Sequence, residues 1–195
     1  MGSKERILRQ KEETRANILK AARSIVKEEG WQGLSMRKIA DKIEYTAPII
    51  YEYFSNKEAI LQELTCKGFM LLSKDLEAVK AKDITPAEKL EGMWMTYWDF
   101  AHKNKEMYQL MYGVQMTCCK DATPESDHPY DLITEVIGEI MKNDDEDVIM
   151  QKYFTFFSVI HGLISINMLS EGLSDDMNKQ ILRDAITGIT RTLQG

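Results

Sequence analysis

An all-α fold is predicted by three features of the sequence. Only four of the 195 residues are proline and eleven are glycine, so few positions interrupt regular backbone structure. Alternation of apolar and polar residues is the pattern of a half-buried strand, and few runs in this sequence show it. Apolar side chains instead recur at helical spacing, often shortly after a residue type that caps helix N-termini. With 44% hydrophobic and 29% charged residues, the chain fits an ordinary globular protein with a real core.

The first helix is predicted to begin near Thr14 and to end at Gly30, a residue type that commonly follows a helix C-terminus. Its apolar stripe falls at Ile18, Ala21, Ala22, Ile25 and Val26. Residues 4–13, which precede it, are mostly polar and rich in Lys and Arg. We expect them to form a basic arm that frays at its end, and such arms reach phosphates or the minor groove of DNA.

Two short helices follow with almost nothing between them. Ser35 caps the first and Thr46 the second, with Pro48 in a first turn where its missing N–H costs nothing. Only Glu44 and Tyr45 separate the two patterns, so the chain must turn sharply. Two helices joined by a turn of about 3–4 residues form a helix-turn-helix, whose second helix can lie in the DNA major groove. The apolar stripes comprise Met36, Ile39, Ala40, Ile43, Ile49, Ile50, Tyr53 and Phe54.

The segment from Thr46 to Glu58 resembles the TetR family of bacterial transcriptional regulators. The recognition helix of that family ends in Leu-Tyr-x-Tyr/His-Phe before a Ser/Asn-Lys-Glu cap, and this chain has Ile50-Tyr51-Glu52-Tyr53-Phe54 before Ser55-Asn56-Lys57-Glu58. In the turn, where family members usually have Gly, this chain has Glu44 and Tyr45. The resemblance implies a three-helix DNA-binding head joined to a C-terminal helical bundle that binds ligand and dimerises. We expect residues 1–54 to form the helix-turn-helix domain and residues 55–195 the ligand-binding and dimerisation domain.

Eight residues are candidates for DNA contact. Tyr45 and Thr46 could reach base edges, and the methyl group of Ala47 could contact a thymine methyl. Pro48 stiffens the start of the helix and offers only apolar contact. The expected phosphate contacts come from Ser35, Arg37, Tyr51 and Lys57.

The distribution of charge agrees with a DNA-facing head. The net charge is −6, but residues 1–54 hold eleven Lys/Arg and eight Asp/Glu, a balance of +3. The remaining fourteen Lys/Arg and twenty-three Asp/Glu give a balance of −9. A basic head on an acidic body is what a DNA-binding protein with a separate body would have.

The rest of the chain is predicted to be helical. Ser55 and Glu58 form a predicted capping box for a long helix that joins head to body, and Thr85 and Glu88 form a second box. Residues 120–129 are expected to be a polar loop. Further helices are predicted over about 86–101, 107–116, 132–141, 147–170 and 175–193.

The body is rich in soft and flat side chains, with twelve Met, eight Tyr, six Phe and three Trp in the chain. Each one alone is explained by ordinary core packing. Together they favour a ligand site, because such interiors repack around varied apolar molecules and spaces between bundled helices commonly bind ligands. The segments 100–101, 107–112 and 161–163 are similar to the ligand-binding domain of the "WHG" type of TetR regulator. The candidate lining residues are Trp94, Tyr97, Trp98, Tyr108, Met111, Phe157 and His161.

The last two predicted helices carry apolar residues that a monomer would leave partly exposed. Pairing with a symmetry mate would bury them in a four-helix bundle, so a homodimer is expected. Two recognition helices reading successive major grooves would also multiply affinity and specificity.

Several classes of function are not indicated. There is no Ser/His/Asp arrangement, no glycine-rich phosphate loop and no metal-ligand spacing, so we expect no enzyme activity, no cofactor and no metal. Cys118-Cys119, near His128, suggest a metal or redox sensor, but adjacent cysteines without partners at ligand spacing chelate poorly. No apolar stretch approaches the length of a membrane span and the N-terminus is charged, so we expect a cytoplasmic protein with no membrane partner.

These features predict a ligand-responsive regulator that binds a double-stranded DNA operator and is released from it by a small apolar or aromatic effector. That behaviour would make it a repressor, while the sequence leaves open the reverse sign, in which the ligand promotes DNA binding. A helical protein-interaction module without DNA binding is the alternative, because Glu44 and Glu52 would repel phosphates.

Overall fold

The computed structural model describes residues 3–113, 124–142, 144–169 and 173–193. Over these residues the chain forms nine α-helices and one 3₁₀ turn, with no strand, which confirms the predicted all-α fold. The 3₁₀ turn spans Trp31–Gly33. The helices are α1 (Ser3–Glu29), α2 (Met36–Lys42), α3 (Ala47–Tyr53), α4 (Lys57–Lys80), α5 (Pro86–Lys103), α6 (Lys105–Tyr112), α7 (Pro124–Met141), α8 (Glu146–Leu169) and α9 (Asp175–Arg191).

The described residues divide into two compact units. Residues 3–67 and 109–113 form the N-terminal unit, and the other described residues form the C-terminal unit. The division passes through α4 after Lys67, so the first turns of α4 group with the N-terminal helices. The functional boundary expected after Phe54 stays a prediction.

In the N-terminal unit, α1 packs on α2 and on the 3₁₀ turn, and α2 packs on α3. The shared core includes Ile18, Ala22, Ile39 and Ile50, each at most 1% exposed. Gly30 ends α1 in the left-handed region at φ +73°, a conformation that glycine adopts without steric cost.

The expectation of a fraying arm at residues 4–13 is wrong, because α1 begins at Ser3. Lys, Arg, Glu and Gln have good helix propensity, and here they continue an established helix rather than nucleate a new one. The segment is therefore an N-terminal extension of α1.

Side-chain caps position several helix starts. Ser35 Oγ accepts a hydrogen bond from the Lys38 amide, as predicted. Thr85 and Glu88 make both bonds of the predicted capping box. The predicted box at Ser55 is wrong: α4 begins at Lys57, and Asn56 Oδ1 accepts from the Ala59 amide at 2.8 Å. Asn caps helices as well as Ser does, so the helix begins one residue later than predicted.

In the C-terminal unit, α5 contacts α7, α8 and α9, and α8 also contacts α7 and α9. Asn167 of α8 and Asn178 of α9 exchange two side-chain hydrogen bonds, at 2.7 and 3.1 Å, which fix the two helices against each other. The loop expected over residues 120–129 is wrong for its second half, because α7 begins at Pro124. Proline suits the first turn of a helix, where its fixed φ is already helical.

One described helix, α8, is long and apolar enough to cross a membrane by length and composition, with a mean hydropathy of 1.2. A single such helix is weak evidence, because apolar helices of globular proteins meet the same criterion. The expectation that no segment approaches a membrane span is therefore too strong for α8.

Candidate DNA interface and effector-binding cluster

The turn between α2 and α3 is tight and strained at one residue. The Tyr45 amide donates to the Ala40 carbonyl at 2.9 Å, which folds the chain back at the end of α2. Glu44 has φ +59°, in the left-handed region where a β-carbon is unfavourable. This is the position at which the TetR resemblance leads one to expect glycine, so the turn has the expected geometry without the expected residue.

The structure brings seven of the eight predicted DNA-contact residues onto α2, the turn and α3. Arg37, Thr46 and Pro48 are exposed, and Tyr45 and Tyr51 are 43% and 54% exposed. The side-chain cap predicted at Thr46 is wrong: Thr46 precedes α3 without making a cap bond, so its hydroxyl is not used by the helix. Ser35 and Ala47 are half-buried. Only Ile50 of α3 is buried, so most of this short helix is available to a partner.

The eighth predicted residue, Lys57, has an internal partner. Its Nζ donates to the Trp31 carbonyl at 2.9 Å, and the side chain is half-buried at the start of α4. A phosphate contact from Lys57 would have to share or replace this bond.

Ion pairs engage other cations of the helix-turn-helix. Lys38 pairs with Glu29, and Lys42 pairs with Glu28 at 2.9 Å, so both tie α2 to the end of α1. Within the described chain, Arg37 has no acidic partner. Arg37 is therefore the cation of α2 that is best able to neutralise a phosphate.

Sequence reasoning missed Arg15, which connects three helices. Its guanidinium lies 4.3 Å from the Phe54 ring centroid, donates to the Tyr53 carbonyl at 3.1 Å, and pairs with Glu63. These contacts fix the end of α3 against α1 and α4. The sequence did contain a signal for this role, because Arg15 lies three residues before Ile18 and so falls on the apolar stripe of α1 that faces the core.

The C-terminal unit contains a continuous group of aromatic side chains, here called the aromatic cluster. It comprises Trp94 and Tyr97 of α5, Tyr108 of α6, and Tyr153, Phe156, Phe157 and His161 of α8. On α8, Phe157 stacks against His161 with centroids 5.1 Å apart and against Tyr153 at 5.8 Å. The structure thus brings together five of the seven predicted lining residues, which are Trp94, Tyr97, Tyr108, Phe157 and His161. Tyr153 and Phe156 were not predicted, although Tyr153 lies four residues before Phe157.

A polar pair lies within this cluster. Tyr108 Oη and His161 Nδ1 are 2.6 Å apart. Burial raises the pKa of the Tyr108 phenol, and a hydrogen bond with Tyr97 opposes that shift. Burial lowers the pKa of the His161 imidazole. A neutral phenol facing a neutral imidazole gives Tyr108 the donor role and His161 Nδ1 the acceptor role.

Trp94 contributes a buried donor. Its side chain is 0% exposed, and its Nε1–H has no hydrogen-bond acceptor among the described residues. A buried donor without an acceptor is costly and is a position where a bound molecule could supply the missing atom.

Two predicted lining residues fall outside the aromatic cluster. Trp98 is buried and packs its ring on His102, with centroids 4.1 Å apart. Met111 is buried near the end of α6, which groups with the N-terminal unit.

A second feature of the C-terminal unit is exposed apolar surface on its last two helices. Leu169 is 88% exposed and Ile166 is 60% exposed. Other large apolar side chains of this surface are Met150, Phe154, Val159, Met177 and Ile181. Among the described residues, no group of His, Cys, Asp and Glu could hold a metal ion. Cys118 and Cys119 lie outside the described residues.

Two family models match the chain. The model of bacterial regulatory proteins of the tetR family matches residues 18–64, and the model of the tetracyclin repressor-like C-terminal domain matches residues 90–187. The chain belongs to the TetR family. It is accordingly a DNA-binding transcriptional regulator and not an enzyme, and the interaction-module alternative is set aside.

Individual relatives are distant. An uncharacterized HTH-type transcriptional regulator of Haemophilus influenzae is 30% identical over 87 residues, which cover 45% of this chain and 46% of that protein. The HTH-type transcriptional repressor KstR of Mycobacterium tuberculosis is 23% identical over 133 residues, covering 68% and 60%. The chain thus spans less than two thirds of the length of both proteins.

The whole fold is also found in a solved structure. A Rhodococcus protein of unknown function superposes with a TM-score of 0.77 at 20% identity, covering 93% of this chain and 95% of that one. At this identity the likeness establishes the fold alone.

Proposed function

We propose that this TetR-family regulator is a homodimeric repressor that leaves its operator when a small apolar or aromatic effector binds the C-terminal unit. The observation that carries the effector proposal is the aromatic cluster with its buried polar pair, Tyr108 and His161. The repressor sign is supported by the name of the relative KstR, a transcriptional repressor. The proposed place of action is the cytoplasm, where operator DNA is accessible.

The aromatic cluster suits an effector with a flat apolar body. Stacked and edge-on rings contribute favourable contacts to a planar guest beyond the burial of its area. Trp94 Nε1–H would donate to an acceptor atom on such a molecule, which relieves an unpaired buried donor. Half-buried Phe157 and His161 are the members through which a ligand would enter.

The exposed apolar surface of α8 and α9 supports the homodimer. Large exposed apolar surfaces are uncommon on soluble monomers, and pairing of α8 and α9 with their symmetry mates would bury such side chains in a four-helix bundle. Two copies would also present two α3 helices to one operator, as helix-turn-helix dimers do on half-sites one helical turn apart.

The proposed coupling element is α4. It is one continuous helix of 24 residues, and it contributes residues to both units. An effector that shifts α4 would change the separation of the two α3 helices. To release DNA it must bind the DNA-free state more tightly, by a coupling energy of about 1–3 kcal/mol in typical cases.

The experiment combines binding and release. Small aromatic compounds are screened for a rise in the melting temperature, and those that bind are added to the complex of the protein with duplex DNA selected from a random pool. We expect binders to weaken the DNA complex about 5–150-fold. Phe157→Leu should weaken those binders without changing DNA affinity in their absence, whereas the exposed control Ser158→Ala should change neither.

Two results would contradict the proposal. Binders that strengthen the DNA complex would reverse its sign, and binders that are insensitive to Phe157→Leu would place the effector outside the aromatic cluster.

A further inference from the structure

The N-terminal extension of α1, residues 4–13, has no role in the helix-turn-helix or in the proposed effector response. Each of its residues is exposed, and the first buried residue of α1 is Thr14 at 7% exposure. Ten helical residues at 1.5 Å each make a rod about 15 Å long that projects beyond the core of the N-terminal unit. A helix held out in this way is available to a partner.

The extension has two different faces. Lys4, Leu8, Lys11 and Arg15 follow the i, i+4, i+7, i+11 pattern and lie on one face. Glu5 and Glu12 lie about a quarter of a turn around the helix from this face, and Glu13 lies on the opposite side. Neither Lys4 nor Lys11 has an ion-pair or hydrogen-bond partner within the described chain, so the first face carries uncompensated positive charge.

Arg15 shows which way this face points. Its guanidinium reaches the Tyr53 carbonyl and the Phe54 ring, at the C-terminal end of α3. Lys11 is one helical turn before Arg15 on the same side of α1, and Lys4 is three turns before it. The basic face is therefore directed to the side of α1 on which the recognition helix ends.

We propose that this face of the α1 extension binds the phosphate backbone of the duplex next to the half-site that α3 reads. This face carries positive charge with no acidic residue on it, which is complementary to the negative charge of a phosphate strand. Arg15 is already engaged in internal contacts, so Lys4 and Lys11 are the residues that would bind the phosphates. A rod of about 15 Å spans about four base pairs at 3.4 Å each. The contact would be sequence-independent, so it adds affinity and operator length but no base preference.

The test compares two double variants that remove the same charge from the same segment. Lys4→Ala with Lys11→Ala removes two positive charges from the basic face. Arg6→Ala with Arg9→Ala removes two positive charges from other faces of the same segment. Alanine favours helix at all four positions, so circular dichroism should report an intact α1 in both. Affinity for duplex DNA is measured against salt concentration on two probes. One ends at the two half-sites selected by the wild-type protein, and the other extends six base pairs beyond each.

On the extended duplex we expect the Lys4/Lys11 variant to lose about 1.8 from the log–log salt slope per bound protomer, since each phosphate contact contributes about 0.9. The Arg6/Arg9 control should lose much less. On the short duplex the wild-type protein and the Lys4/Lys11 variant should bind alike.

Three outcomes would overturn the proposal. Equal losses for the two variants would mean that only general charge matters. A Lys4/Lys11 loss that is the same on both probes would place the contact within the half-site. No loss at all, with a changed oligomeric state for Leu8→Ala, would assign the face to a protein partner. In each case the wild-type protein still binds DNA, so its established role stands.

Discussion

The helix α3 and the helix α5 use their residues in opposite ways. In α3 one residue of seven, Ile50, is buried, three are half-buried and three are exposed. In α5 seven residues of eighteen are buried, including Trp94, Tyr97 and Trp98. A helix as short as α3 is marginal alone, so its neighbours hold it in place and its own side chains contribute little to folding. Substitutions in the helix-turn-helix should therefore change DNA binding, and substitutions in α5 should change stability.

The largest effect is expected for Trp94→Ala. Truncation of a fully buried Trp should lower the free energy of unfolding by about 3–5 kcal/mol, because it leaves a cavity among Tyr97, Tyr153 and Phe156. Urea denaturation measures this. The matched substitution in α3, Tyr51→Ala, should stay within about 0.5 kcal/mol of the wild-type protein. Similar losses for both would remove the distinction between the helices.

A smaller effect on the free energy of unfolding is expected when the pH is lowered. Because burial lowers the pKa of His161, the unfolded chain takes up its proton before the folded chain does as the pH falls through about 6.5. The contribution of neutral His161 to stability is therefore present above that pH and is lost below it. His161→Gln should lose less stability than the wild-type protein between pH 7 and pH 5, as measured by urea denaturation. An unchanged pH dependence would show that the imidazole is equally protonated in both states.

Arg37→Ala tests whether a substitution in the helix-turn-helix changes DNA binding without changing stability. Loss of one phosphate contact should lower the log–log salt slope by about 1 and weaken binding to all sequences alike. The melting temperature should not change, since Arg37 is exposed. Lys38→Ala is the control, because Lys38 already pairs with Glu29 and has less to offer a phosphate. An equal slope change for both variants would contradict the assignment of Arg37.

A small gain in stability is expected at Glu44. Glu44→Gly should raise the free energy of unfolding by up to about 1 kcal/mol, because glycine adopts φ +59° without strain. Glu44→Gln keeps the strained backbone but removes the same charge, so it should leave stability unchanged. Both variants should bind DNA more tightly than the wild-type protein. Stabilisation by Glu44→Gln would show that charge rather than backbone strain limits the turn.

Local features of the sequence predicted most of the fold. Helical periodicity and the caps at Ser35 and Thr85 depend on residues a few positions apart, and the helix-turn-helix follows from them. Contacts between distant segments were not predictable from such patterns. Lys57 has a charge suited to phosphate, yet its partner is the carbonyl of Trp31, twenty-six residues earlier.

The candidate effector site was only partly predictable for a related reason. The helix α8 is apolar on nearly all sides, so periodicity did not separate the side of Tyr153 and Phe156 from the others. Trp98 was selected with Trp94 because both are large and close in sequence. A separation of four residues places Trp94 and Trp98 about one turn apart on α5, but of the two only Trp94 contacts the rings of α8.

The most direct test is selection of binding sites from random duplex DNA by the wild-type protein and by Thr46→Ala. Thr46 makes no cap bond, so both proteins should melt at the same temperature. If α3 reads bases in two copies, the wild-type protein will enrich a palindromic site, and Thr46→Ala will change the preferred base at one symmetric position in each half. Enrichment of the same site by both proteins, or of no site, would contradict the role of α3 as the reading helix.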